Sequence, residues 1–258
     1  ERLMEMIAVI DGIEDISMTT NASMLTRERA RSLHAAGLKR INISLDALDE
    51  KTFQRVNDVE FPVGRVLQGI EHAQAAGFDS VKINAVIRRG LNEHSVLHLA
   101  DHFRGTDIIL RFIEFMDVGS TNQWQFDEVV SARQMADIIH AEFPIAPVSP
   151  NYHGEVAKRW RYLDGAGEVG FIASVTEPFC GDCARARLSA VGKVYTCLFA
   201  TKGYDLRDLI REGASDKALA RRIHAIWANR VDRYSELRSR TSATVNRAQR
   251  VEMSHIGG

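Results

Sequence analysis

Cysteine is scarce in this chain of 258 residues: there are three, all between Cys180 and Cys197. An odd number packed into so short a stretch is a poor disulfide framework. It suits a reduced, cytoplasmic protein that uses cysteine for a metal or a cluster. Net charge is also lacking, at −1, so bulk electrostatics give no reason to expect nucleic acid or membrane as a partner. No apolar run approaches the roughly 18–20 residues needed to span a bilayer. Nothing resembles a secretory signal, since the opening ERLMEMIAVIDGIED is mixed and acidic. Low-complexity segments are absent as well.

What is there is ordinary for a globular protein: 45% hydrophobic and 26% charged residues. The length fits one large α/β domain, or a main domain with a smaller appendage. A core of that size needs no disulfide staples. The chain opens on Glu1 rather than Met and reads as the middle of a helix, so the expectation is that an N-terminal stretch precedes it.

An internal echo organises the first half. Ala35-Ala36-Gly37-Leu38 recurs forty residues later as Ala75-Ala76-Gly77-Phe78. Each copy closes a helical stretch, over 26–36 and 63–76, with Gly37 and Gly77 where a helix C-terminal glycine belongs. Each is followed by a strand-like run, KRINISL at 39–45 and SVKINAVI at 80–87. A third unit adds a helix over 92–103 and a strand over 108–115, and EDISMTT at 14–20 is a strand upstream. Repeated βα units of this kind argue for a parallel sheet, doubly wound or closed as a barrel.

Strands covered by helices on both faces read as unbroken apolar runs. These do not. Ser17, Thr19 and Asn21 alternate with Ile16, Met18 and Thr20; Asn42, Ser44 and Asp46 alternate with Ile41, Ile43 and Leu45. Aligned on the glycines, Lys82 corresponds to Asn42 and Asn84 to Ser44. With a strand period of two, each strand sends a polar row to one side. Such rows can be satisfied strand-end groups; the reading preferred is a barrel or open barrel with a polar substrate chamber.

Beyond Met116 the pattern breaks into a loop over 117–130. Ser131 is a cap for a helix through 143, and PIAPVSP at 144–150 is a linker or edge segment. Residues 156–175 read as short antiparallel strands about the turn Asp164-Gly165-Ala166-Gly167, and helices are expected over 206–211 and 216–233. The tail from Ser235 is polar and without periodicity. The expected division is a partial barrel over 1–143, lacking its first strands, and a C-terminal region over 144–258.

Cys180, Cys183 and Cys197 form C-x2-C-x13-C. Three readings stay open on the spacing. A zinc site needs four ligands, so His153 or His255 would have to join. A redox CxxC opens a thioredoxin-type helix, a context that is missing here. An iron–sulfur cluster on three thiolates leaves one iron open to a substrate atom. Downstream, Arg185 and Arg187 flank Ala186, and guanidinium groups contact phosphate oxygens in pairs. Beside an open iron they suit an anionic, nitrogen-rich ligand such as a nucleotide, although a solvated strand face would look the same.

At this point FCGDCARARLSAVGKVYTCLF (179–199) resembles the C-terminal cluster motif of the GTP 3′,8-cyclases, the molybdenum cofactor biosynthesis protein A family of radical S-adenosylmethionine (SAM) enzymes. MTTNASML, INISLDALD, VKINAVI, RFIEFMDVGS and the terminal Gly257-Gly258 follow the family order across essentially the whole chain. The resemblance implies an α/β fold, a partial TIM-type radical SAM barrel with a smaller cluster-binding region. It implies two 4Fe-4S clusters and SAM as cofactors of the intact enzyme. Cys180, Cys183 and Cys197 would bind the second cluster, whose open iron holds the guanine of GTP. Arg185, Ala186, Arg187, Thr19 and Lys82 match GTP-contacting positions, and Ser44 and Met116 match SAM-binding positions. Gly257 and Gly258 match a tail that enters the active-site chamber and, with Arg185 and Arg187, would serve catalysis.

The implied reaction converts GTP to (8S)-3′,8-cyclo-7,8-dihydroguanosine 5′-triphosphate, the first step of molybdenum cofactor biosynthesis. A homodimer that passes its product to cyclic pyranopterin monophosphate synthase is implied too. The family's N-terminal CxxxCxxC and GGEP segments have no counterpart in this sequence, so the chain as given is expected to be inactive. A peptide-modifying radical enzyme and a zinc-stabilised module that binds RNA or protein are the competing readings.

Overall fold

The computed structural model describes residues 1–238 and 250–256. It divides into two compact units. The first comprises Glu1–Phe115, Glu128–Asn151 and Glu155–Thr176, and the second Met116–Asp127, Tyr152–Gly154 and Glu177–Gly258. The expected domain boundary at 143/144 falls inside the first of these units.

The first unit is built on βα repeats: α1 (Arg2–Ala8), β1 (Ser17–Thr20), α2 (Arg27–Ala35), β2 (Arg40–Ser44), α3 (Glu50–Asn57), α4 (Val63–Gln74), β3 (Ser80–Ile87), α5 (Ser95–Phe103), β4 (Ile109–Glu114) and α6 (Ala132–Glu142). Three strands complete it: β5 (Ile145–Pro147), β6 (Lys158–Tyr162) and β7 (Glu168–Ile172). All seven strands form one sheet in the order β1-β2-β3-β4-β7-β6-β5. Strands β1 to β4 and β7 run parallel, and β6 pairs antiparallel with both β7 and β5. This is the mixed α/β fold with a parallel sheet that the repeats imply. The 144–150 segment contributes the edge strand β5, whose Pro147 is tolerated because an edge strand leaves one side of its backbone unpaired.

Local chemistry sets these boundaries. Thr26 accepts from the Arg29 N–H, Asp49 from that of Thr52, and Ser131 forms a capping box with Gln134. Gly37 and Gly77 take φ of +101° and +83°, the left-handed conformation at a helix C-terminus that favours glycine. Helix α3 was not expected. The helix expected from residue 92 starts instead at Ser95, because the fully buried Asn92 accepts from the Arg88 N–H and donates to the carbonyls of Asp46 and Val86.

Burial alternates along the strands: in β2 Ile41 and Ile43 are fully buried, while Arg40, Asn42 and Ser44 are only partly so. The apolar rows meet the helices in one core that includes Leu38, Ile83, Leu99, Phe112, Met135 and Phe171. At about 25 cal/mol per Å² of buried apolar surface, that core is the main stabilising contribution.

Among the described residues of the second unit, Val194, Leu206 and Ile226 cluster with Leu209 packed on them, and Trp124, Tyr195 and Ile256 are buried as well. Its elements are β8 (Arg187–Leu188), β9 (Lys193–Tyr195), β10 (Tyr204–Asp205), α7 (Arg207–Arg211), α8 (Asp216–Ala228), α9 (Tyr234–Leu237) and α10 (Met253–Ile256). The three strands form an antiparallel sheet, β10-β9-β8. Helix α8 ends at Ala228 and not at 233, with Asn229 at its cap, and the described residues of the polar tail include two short helices the sequence did not announce. Gly257 and Gly258 lie outside the described residues. No helix among the described residues is long and apolar enough to cross a membrane.

Candidate functional site: a cationic sheet face and a cysteine turn

Strand register brings three of the expected residues onto one face of the first unit. Thr19 pairs with Asn42 and Asn42 with Lys82, so these three lie abreast across β1, β2 and β3. Ser44, two residues beyond Asn42, shares that face and pairs with Asn84. Asn84 in turn pairs with Arg111 on β4, Arg111 with Gly170 on β7, and Gly170 with Arg159 on β6.

Arg111 was not among the expected residues, yet it organises this face. Its Nε donates to Asn84 Oδ1 at 2.9 Å and its Nη2 to Asn42 Oδ1 at 2.7 Å. A Cβ on Gly170 would come within 3.1 Å of the Arg111 side chain, so glycine there leaves room for the guanidinium. Lys82 stands half-buried beside it. Burial first, then the charges of Arg111, Arg40 and Arg159, push the Lys82 ammonium below its usual range, with Glu155 opposing. Positive charge concentrated in this way favours the approach of an anion. A lone arginine in IILRFIEF reads as strand polarity; the signal that could have found it is its position on the polar parity of its strand.

Three residues of the second unit carry sulfur. Cys180, Cys183 and Cys197 are partly buried and unpaired with one another. Arg185 donates to Cys183 Sγ from Nε at 3.4 Å and from Nη2 at 3.2 Å, and its guanidinium lies 5.0 Å from the Phe179 ring centroid. Burial pushes the Cys183 thiol up, but the hydrogen bonds and charge of Arg185 outweigh it and hold the thiol below its usual range. Burial pushes Cys197 up, and the Phe199 N–H donates to its sulfur at 3.4 Å. Arg187, on β8, is pushed down by burial first and then by Arg185, while the thiol groups of Cys183 and Cys197 act on it in the opposite sense. Ala186 lies between the two arginines. The structure therefore gathers the CGDCARAR residues around sulfur and positive charge.

No group of three cysteine, histidine, aspartate or glutamate side chains among the described residues stands close enough to hold a single metal ion. His153 faces Asp182 at 3.4 Å, and His255 packs edge-on to Tyr195 with ring centroids 6.4 Å apart. Thiolates of one cubane bind different irons and stand further apart than ligands of one ion. An all-thiol donor set with N–H···S hydrogen bonds thus fits a cluster better than zinc.

Met116 opens the 116–127 segment of the second unit, and its carbonyl accepts from Asn122 Nδ2 at 3.0 Å. The neighbouring Asp117 is fully buried. It pairs with Arg238 at 2.9 Å and with Arg250 at 2.9 Å, and accepts from the Tyr234 hydroxyl at 2.6 Å. Glu252 accepts from the Ser120 N–H at 2.8 Å. These contacts tie 250–252 to 117–120, so the segment preceding Gly257 and Gly258 is held.

Comparison with known proteins places the chain in a class. The family model of the radical SAM superfamily matches residues 1–103, and that of the C-terminal region of molybdenum cofactor synthesis proteins matches residues 108–236. The protein is thus a radical SAM enzyme of molybdenum cofactor biosynthesis. A GTP 3′,8-cyclase of Xanthomonas campestris pv. campestris is 50% identical over 99% of this chain and 74% of its own length. Those of Acidothermus cellulolyticus and Staphylococcus epidermidis are 48% and 43% identical over 100% of this chain, which covers 77% and 75% of them. The chain belongs to the GTP 3′,8-cyclase family. A coproporphyrinogen III oxidase structure from Escherichia coli aligns over 54% of this chain and 34% of its own, at 16% identity and a TM-score of 0.39, and the assignment does not rest on it.

Proposed function

We propose that the protein serves the cyclisation of GTP to (8S)-3′,8-cyclo-7,8-dihydroguanosine 5′-triphosphate, with Cys180, Cys183 and Cys197 holding a 4Fe-4S cluster. The observation that carries this reading is the CGDCARAR turn, where Arg185 hydrogen-bonds Cys183 sulfur and Arg187 stands near two thiols. When bound, SAM and its own cluster supply the carbon radical that takes hydrogen from C3′ of the nucleotide.

The chain's own residues bind and orient. Cys180, Cys183 and Cys197 would hold the cluster with three thiolates, and a cluster so held would supply an attachment point for the guanine base. Arg185 and Arg187 supply planar cationic donors for phosphate oxygens, and Ala186 between them keeps that approach free of a bulky side chain. Thr19, Lys82 and the Asn42–Arg111–Asn84 network supply a second polar, cationic surface for the nucleotide. Ser44 and Met116 are the proposed SAM contacts. Ring closure needs C3′ and C8 held in near-attack geometry, which contributes on the order of 7–11 kcal/mol through effective molarity. Two separate anchors on base and triphosphate provide it. Gly257 and Gly258 are assigned to the same chamber on the family resemblance. On that resemblance too, the protein works in the cytoplasm as a homodimer and hands its product to cyclic pyranopterin monophosphate synthase.

The test is anaerobic reconstitution of the full chain with iron and sulfide, followed by metal analysis and GTP titration. Expected are iron and sulfide in cluster proportion, absorbance near 400 nm that responds to GTP, and GTP affinity reduced about tenfold or more in Arg187→Ala, the cost of a lost charge-assisted hydrogen bond. Preferential uptake of zinc, with no response to GTP, would overturn the proposal.

A further inference from the structure

Because α8 stops at Ala228, the chain after it can turn to meet the cysteine turn before α9 begins at Tyr234. Arg230 Nη1 donates to the carbonyl oxygen of Cys183, and the guanidinium lies 5.0 Å from the Trp227 ring centroid. The same side chain is 3.4 Å from Asp232 and is only 13% exposed. Glu236 Oε1 accepts from the Gly181 N–H at 3.1 Å, and its other oxygen accepts from Arg233 Nε at 2.6 Å. The turn is therefore gripped at two backbone points by one seven-residue strap.

The strap also brings opposite charges together beside the turn. Arg230 places its guanidinium on the Cys183 carbonyl, at the backbone of a proposed cluster ligand. The Asp232 carboxylate stands 3.4 Å from that guanidinium and sets a negative charge against it. Positive charge and N–H donors near a cluster's sulfurs favour the reduced, more negative state, and a nearby carboxylate favours the oxidised one.

We propose that Arg230, Asp232 and Glu236 are positioning residues for the cluster held by Cys180, Cys183 and Cys197, with Arg230 and Asp232 setting its reduction potential in opposite directions. This rests on the reading that these cysteines hold a cluster. Glu236 fixes the turn that presents Cys180 and Cys183. Arg230 stabilises the reduced cluster from the Cys183 side, and Asp232, paired with Arg230, moderates it.

The experiment is a redox titration of the reconstituted full chain followed by electron paramagnetic resonance, with iron content and the rate of iron loss to a chelator measured alongside. Arg230→Gln should move the midpoint potential to a more negative value and Asp232→Asn to a more positive one, with Arg230→Lys falling between wild type and Arg230→Gln. Glu236→Ala should speed iron loss about tenfold, as expected for a lost charged hydrogen-bond partner. A purely structural strap would change iron content without moving the potential. Equal potentials in all variants, or shifts of the same sign in Arg230→Gln and Asp232→Asn, would overturn the proposal while leaving the cluster reading intact. Should Arg230→Gln fail to fold, the Asp232→Asn shift alone decides. Wild-type protein that takes up no iron would instead refute the cluster itself.

Discussion

Two carboxylates three residues apart, Glu114 and Asp117, are both fully buried, and they are neutralised in opposite ways. Glu114, at the end of β4, meets only neutral donors: the N–H groups of Ala132 at 2.7 Å, Val175 at 2.8 Å and Thr176 at 2.8 Å, and the Thr176 hydroxyl. Asp117 meets the guanidiniums of Arg238 and Arg250 and the Tyr234 phenol, whose pKa is pushed up to about 12 by burial and by Asp117 itself. The first unit has an extensive apolar core, so its backbone is already ordered and can aim N–H groups at a charge. The second unit holds the described part of its C-terminal segment with ion pairs. A buried charge solvated by a rigid backbone stabilises the fold around it; a buried ion pair chiefly specifies which segment docks where.

Removing each charge should expose that contrast. Asp117→Ala is expected to have the largest effect. It strips the shared carboxylate from two buried arginines, a loss of about 3–5 kcal/mol for breaking a buried pair. That loss should appear locally, as faster tryptic cleavage after Arg250 and faster amide exchange in 250–256, since the C-terminal segment can detach before the rest unfolds. Glu114→Gln should cost roughly 2–4 kcal/mol, because an amide NH2 would face two N–H or O–H donors. Its loss should appear in global denaturant unfolding, since the carboxylate joins β4, the start of α6 and the chain after β7. If Glu114→Gln instead loosened only one loop, the distinction between the two modes would fail.

Asp46 sharpens the comparison from within the first unit. It is buried, though less completely than Glu114, and receives one backbone donor, the Val86 N–H at 2.7 Å. Burial outweighs that bond and pushes its pKa up to about 6 from 3.8. Between these values the folded state holds a proton that the unfolded chain has released, so stability falls as pH rises from about 4 through about 6. The loss is on the order of 3 kcal/mol. Asp46→Asn should flatten this slope and raise the thermal midpoint at pH 8 relative to wild type. An unchanged slope in the variant would show that one N–H suffices.

The parallel βα core was legible because its causes are local and periodic. Gly37 and Gly77 mark helix ends, Ser131 and Thr26 announce caps, and the alternation in INISLDALD assigns Asn42 and Ser44 to a polar face before any pairing is known. The cysteine spacing and the CARAR arginines were legible for the same reason, as chemistry compressed into a few residues. What stayed hidden depends on partners far apart in sequence. Arg111 becomes a site residue only when β2, β3 and β4 bring Asn42, Asn84 and Lys82 beside it. Arg230 gains meaning only because α8 stops early, and the propensities of RRIHAIWANRVDR do not reveal that stop. Helix α3 is only eight residues long and buries Phe53 alone, too short a run for its pattern to stand out.

Lys82 carries the comparison to its limit, since its charge is surrounded by others of the same sign. Arg111, Arg40 and Arg159 all disfavour its protonated form, with burial the larger cause. A lysine whose folded pKa lies below its unfolded value costs stability while charged, and the cost disappears as pH rises through the folded pKa. Lys82→Met should therefore raise the thermal midpoint slightly at pH 7, by about a degree or two, and the gap to wild type should close under alkaline conditions. The same substitution should abolish most of the stabilisation that added GTP or inorganic triphosphate gives the wild-type protein, because the anion relieves the repulsion that the variant no longer has. A cationic face kept for packing alone would behave differently. Its Lys82→Met variant would lose stability without ligand and respond to triphosphate as the wild type does.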